Sequence, residues 1–228
     1  MDQPTPLKRA LSLAELALGA FIVIGHNIFH IVPNEVPVLF VLGWLSLRLR
    51  NGAVAPSGPL WLVPSVFKRP QSWWTTIAIA VPVAILMQLD SIVVDPIAAY
   101  FFPEPADLSS FKPLVGNVGF ALQSLALIWT FAAFGEELSY RGYLTRRAAD
   151  LGDNTTAAWW IGMVLVAVLF GLGHWYKGPA GVLDSTLSGL ILGGAYLLSG
   201  RNLWVTILAH GLSDTIAVGI VFFGLVDV

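Results

Sequence analysis

The chain contains no cysteine among its 228 residues. That removes disulfides, thiolate metal sites and a cysteine nucleophile together. Charge is the second scarcity: Asp, Glu, Lys and Arg make up 11% of the sequence, against about 25% in a soluble domain. So few charges cannot cover a water-facing surface, and an ordinary soluble globule is excluded. Disorder is excluded too, because 56% of the residues are hydrophobic. Basic surplus is also missing. A net charge of -2 provides no cationic surface for nucleic acid. What remains is apolar sequence, with a mean hydropathy of +0.75 and nine Trp. Indole rings favour the headgroup level of a bilayer. The composition predicts an all-α polytopic membrane helix bundle of about seven to eight transmembrane helices, built as a single integral-membrane domain over 1–228.

Seven apolar segments carry that reading: Leu11–Val32, Val36–Leu47, Trp73–Val94, Leu114–Phe134 and onward, Ala157–Trp175, Ala180–Leu198 and Leu203–Val226. The second is short for a span, and Ile97–Phe102 adds a half-helix. With the N-terminus inside, ten basic residues (Lys8, Arg9, Arg48, Arg50, Lys68, Arg69, Arg141, Arg146, Arg147, Arg201) fall on the inner side and two (Lys112, Lys177) on the outer. The positive-inside rule therefore predicts a plasma (inner) membrane protein with a cytoplasmic N-terminus. Two loops stand out. Asn51–Ser72 holds an interfacial piece around Trp61, and Asp95–Pro113 has four prolines that should stop a helix. Ser185, Gly189 and Gly193 recur four apart, a spacing for close helix packing. Trp73–Trp74 and Trp159–Trp160 read as interface anchors. His26, Asn27 and His30 read as a wet end of the first helix.

Ionisable groups inside spans are costly and are site candidates by default. In residues 135–142, Glu137 and Arg141 are four apart with Glu first, the better order for an ion pair. Glu136, turned about 100° away on an α-helix, is the carboxylate left over and a candidate general base. Phe170 and His174 share a face, and so do His210 and Asp214. A carboxylate beside an imidazole fixes its tautomer. Taken alone, each feature also fits plain structure: a helix end in water, an interfacial histidine, a buried polar pair. Together they supply two carboxylates and two histidines on three helices. That inventory can activate a water and stabilise a tetrahedral intermediate. It equally provides three or four N/O ligands for a divalent metal such as zinc.

Glu-Glu-x-x-x-Arg at 136–141, Phe-x-x-x-His at 170–174 and His-x-x-x-Asp at 210–214 resemble the three ordered motifs of the CAAX-protease and bacteriocin-processing family of intramembrane proteases, which includes the type II CAAX prenyl endopeptidases. The resemblance runs from about Leu125 to Ala217. It extends to Arg-Gly-Tyr-Leu after the first motif, Gly178 and Gly181 after the second, and Gly200-Arg-Asn-Leu-Trp204 before the third. It implies a hydrolase that cuts a peptide or protein substrate at the bilayer, with a catalytic core at about 114–226. Glu136 is then the base, His174 its partner on the water, and His210 with residue 214 the oxyanion site. Glu137 and Arg141 support the site. Tyr140 stands where Phe is commoner, and Asp214 where the prenyl-protein proteases have Asn. An ionised Asp cannot donate to an oxyanion, so Asp214 is protonated, orients His210 or ligates a metal. Members of the family were long called metalloproteases, and a metal-free glutamate mechanism also fits the resemblance. The rival class is a non-catalytic membrane scaffold, immunity factor or transporter. Neither His-Glu-x-x-His, Gly-x-Gly-Asp nor Gly-x-Ser-x-Gly occurs.

The span boundaries conflict with this site. Straight perpendicular helices put His210 roughly 10 Å, Glu136 roughly 16 Å and His174 roughly 25 Å from the inner face. The conflict predicts either a fifth helix that begins deep, after a loop dipping at Leu151–Thr156, or one that is strongly tilted.

Overall fold

The computed structural model describes residues 6–52, 54–55, 62–102 and 104–226, without the side chains of 90–93 and 95. The segment expected around Trp61 lies outside the described residues. Those that are described are helical, with no strand among them. α1 spans Pro6–Asn27, α2 Glu35–Asn51 and α3 Trp73–Phe101. α4 (Val118–Leu127) continues as a π-helix (Ile128–Leu144) and then as α5 (Thr145–Leu151). α6 (Thr156–Leu172), α7 (Gly178–Leu198) and α8 (Leu203–Phe222) complete the bundle. Most helix starts are set by short polar side chains. Asn34, Ser72, Asn117, Thr155 and Asn202 accept hydrogen bonds from the first-turn amides of α2, α3, α4, α6 and α8, which satisfies donors that a helix leaves orphaned.

Among the described residues, three helices are long and apolar enough to cross a membrane: Val118–Leu151, Trp175–Leu198 and Leu203–Phe222. Trp73–Leu89 and Thr156–Leu172 are shorter apolar helices. The expected seven to eight spans exceed this number; α2 and α6 have 17 residues each. Two boundaries also move. α3 runs through Pro82 and Pro96 to Phe101, past the expected stop at Val94. The half-helix expected at Ile97–Phe102 is the end of α3. α6 ends at Leu172, and a single 3-10 turn (Trp175–Lys177) separates it from α7.

Close approach is set by residues that leave room. A Cβ on Gly189 would stand 3.2 Å from the Ala167 backbone, and one on Gly193 2.5 Å from Met163. The small-residue stripe of α7 is therefore its seam with α6, as its spacing predicts. Gly43 of α2 likewise faces Tyr143, and Gly135 faces Val36. The core between these helices is fully buried at Val23, Leu39, Leu47, Leu138, Leu144 and Leu203.

At one end of the bundle α1, α2 and α5 are joined by charge. Arg147, 1% exposed, contacts Glu15 at 2.9 Å, Asp150 at 2.8 Å and Asn51 at 2.8 Å. Arg50 contacts Glu15 at 2.5 Å and Ser12 at 2.8 Å. Two arginines and two carboxylates thus close a neutral set in which Glu15 is a pairing residue. Nearby, Arg9 pairs with Asp153.

Candidate active site

The π-helix carries the first group of site residues. Its wider turn is seen where Thr145 donates its amide to Tyr140 O, five residues back. Such turns concentrate at functional positions. On it, Glu137 and Arg141 form the spaced ion pair, with Arg141 Nη1 donating to Glu137 Oε1 at 2.7 Å. Both side chains are buried. Arg141 Nη2 donates to Gly189 O of α7 at 3.3 Å, and the guanidinium lies 4.5 Å from the Phe170 ring centroid. One arginine thereby ties the π-helix to α6 and α7.

Glu137 has a second partner that sequence spacing could not indicate. His210 Nδ1 donates to the same Oε1 at 2.8 Å. His210 Nε2 lies 3.5 Å from Asp214 Oδ2, too long for a strong hydrogen bond. The imidazole thus sits between two carboxylates from different helices. Ser213 anchors this turn of α8 by accepting from Gln88 Nε2 at 2.7 Å.

His174 stands just past the end of α6. Its Nδ1 is 2.9 Å from Phe170 O. A carbonyl oxygen only accepts, so Nδ1 carries the hydrogen and Nε2 presents a lone pair. The Phe170 ring spaces the two histidines, at 4.7 Å from His174 and 6.2 Å from His210. His174, His210 and Asp214 line one cavity of about 660 Å³, together with Phe170, Lys177, Asp184, Ser188, Ala98 of α3 and Phe102 just past its end. Glu136 does not line that cavity. Its Oε2 is buried without a hydrogen-bond partner, and it lies within electrostatic reach of His210, Asp214 and Arg141.

Tyr140 extends its hydroxyl to Gly173, at the end of α6, and Arg141 spans to Phe170, so the π-helix packs against the end of α6 that precedes His174.

Among the described residues, no three His, Cys, Asp or Glu side chains group closely enough to hold a metal ion. His174 Nδ1 is spent on a carbonyl and His210 Nδ1 on Glu137.

Two features escaped the sequence reading. His26 and Asn27 are not simply a wet terminus. His26 Nδ1 meets Val32 O at 3.0 Å, its Nε2 meets the buried Glu35 at 3.1 Å, and Asn27 donates to Val23 O. The signal was a histidine and a carboxylate across a short turn. Lys177 and Asp184 also line the cavity, although neither belongs to a spaced pair.

Residues 118–216 match the family described as type II CAAX prenyl endopeptidase Rce1-like. The match covers less than half of the chain. It begins at the first residue of α4 and ends just beyond Asp214, enclosing all three motifs. No curated protein and no solved structure matches the chain.

Proposed function

We propose that the chain is a membrane-embedded endopeptidase that hydrolyses a peptide bond with a water activated by Glu136 and His174. The observation that carries this reading is the shared cavity, which joins His174 from the break after α6 to His210 and Asp214 of α8. The match of residues 118–216 to a prenyl endopeptidase family supports the same chemistry. In this reading the substrate is a peptide or protein at the bilayer, processed in the CAAX manner or a related one. The protein spans the plasma (inner) membrane seven or eight times with its N-terminus cytoplasmic.

The steps follow from the available donors and acceptors. His174 Nε2 accepts a hydrogen bond from the water and orients it. Glu136, whose Oε2 is buried without a protein partner outside the lining of the cavity, turns toward it and takes the proton as the water oxygen attacks the carbonyl carbon. His210, protonated on both ring nitrogens between Glu137 and Asp214, keeps Nδ1–H on Glu137 and donates Nε2–H to the developing oxyanion. Asp214 does not donate there; it holds the imidazole from 3.5 Å until the substrate oxygen displaces it. As the C–N bond breaks, Glu136 returns the proton to the leaving nitrogen. Glu137 fixes the other side of His210 and is itself fixed by Arg141.

The test compares cleavage of a peptide library by wild type and Glu136→Gln, each with and without chelator. Removal of a general base loses about 10²–10⁴ in rate, so the variant should be inactive while its melting temperature is kept. Wild-type cleavage by Glu136→Gln would sink the assignment. Loss of wild-type cleavage with chelator would redirect it to a metal enzyme, and absence of cleavage by either protein would favour a scaffold.

A further inference from the structure

A second cluster lies away from the cavity, where three helix ends meet. Arg146 comes from α5, Trp159 from the first turn of α6, Tyr196 from the last turn of α7, and Arg201 from the turn that follows. Arg201 lies 4.6 Å and Arg146 5.6 Å from the Trp159 ring centroid. Trp159, expected as an interface anchor, is 5% exposed and serves as the platform for both cations.

Neither arginine has a carboxylate partner among the described residues. The acids at this end are already taken: Glu15 and Asp150 by Arg50 and Arg147, Asp153 by Arg9. Two guanidinium groups gathered on one ring without a counter-charge repel each other. The same cluster also holds buried polar atoms without partners, at Arg146 Nε, Trp159 Nε1 and the Tyr196 hydroxyl. The hydroxyl lies beside Arg146 without a well-formed hydrogen bond to it. Buried donors are normally satisfied, and each exception calls for a reason. Arg201 is held in place at a cost: its φ is +65°, a conformation uncommon outside glycine, fixed by its amide on Tyr196 O at 2.7 Å.

Two cationic forks with an indole N–H and a phenolic O–H suit an oxyanion with three or more acceptor oxygens, which is the chemistry of phosphate. Trp160, Leu151 and Leu198, close in the chain to these helix ends, are exposed. That surface favours acyl chains, so a lipid is the better source of the phosphate than free solution. We propose that Arg146, Trp159, Tyr196 and Arg201 form a binding site for the phosphate of an anionic membrane lipid, separate from the hydrolytic cavity.

The full chain is purified into nanodiscs of phosphatidylcholine with or without phosphatidylglycerol. Retained lipid is read by native mass spectrometry and stability by thermal melting. A parallel arm in detergent adds inorganic phosphate. Wild type should retain phosphatidylglycerol preferentially and melt higher with it. Arg201→Gln should bind it about tenfold more weakly, the loss expected for one charge-assisted hydrogen bond, and Arg146→Gln with Arg201→Gln should lose the preference. Arg9→Gln, which only frees Asp153, should keep it. Stabilisation by inorganic phosphate that the same variants abolish would support the phosphate site with the free ion as an additional ligand. Equal retention of both lipids by wild type without a phosphate response would overturn the proposal. So would an unchanged preference in Arg201→Gln, an exposed position that folds whether or not the double variant does.

Discussion

At the scale of single residues, the centre of the site is Glu137 Oε1, which receives Arg141 and His210 together. Arg141→Leu leaves a buried carboxylate with its histidine alone. Loss of one partner of a buried pair costs about 3–5 kcal/mol, so the variant should melt well below wild type or fail to accumulate. Arg141→Lys should recover part of that stability, because an ammonium pairs with Glu137 but cannot also fork to Gly189 O. A stable Arg141→Leu protein with unchanged melting would show that the pair is dispensable. Residue spacing made the Glu137–Arg141 contact legible, since i and i+4 are neighbours on any helix. The Glu137–His210 contact crosses 73 positions. Nothing local encodes it, and it depends on how α8 docks on the π-helix. Glu35 was missed for a related reason: its partner His26 lies across a turn whose path spacing does not specify.

At the scale of elements, the seam between α6 and α7 decides where the chain can break. A Cβ on Gly171 would collide with Thr186 Oγ1 and stand 2.7 Å from Val182 O. The hydroxyl can rotate, but the carbonyl belongs to α7 and cannot. Gly171→Ala should therefore destabilise by about 1–3 kcal/mol, the usual cost of overpacking. Combining it with Thr186→Ala should restore only part of the loss, as read by thermal melting of the pair against each single variant. Full restoration would mean that the backbone contact is soft. The small-residue period gave this seam away in advance. The π-helix did not announce itself, because a wide turn keeps the same apolar composition as an α-helix. Nor did the length of α3: prolines disfavour helix interiors, yet Pro82 and Pro96 are accommodated within it.

At the scale of the molecule, the motif-bearing helices are held to the N-terminal pair by the Glu15–Arg50–Arg147–Asp150 set. Arg147→Leu leaves Glu15 and Asp150 to Arg50 alone. Glu15 is partly exposed, so the expected loss is roughly 2 kcal/mol, below the value for a fully buried pair. It should appear as faster amide exchange in α1 and α2 before any change in α8. Uniform acceleration across the bundle would argue against a local tie. The sequence reading located the helices and their polar residues, because apolar runs and their interruptions are local properties. It could not place Glu15, whose partners come from α2 and α5.

Gly189 belongs to two systems. It lets α7 lie against Ala167, and its carbonyl receives Arg141. Any attempt to toughen the protein by filling that groove with larger side chains would push the carbonyl away from the guanidinium and loosen the grip on His210. Hardiness and turnover would then trade against each other at this one position, and selection for heat tolerance alone should yield sluggish variants whenever it alters residue 189.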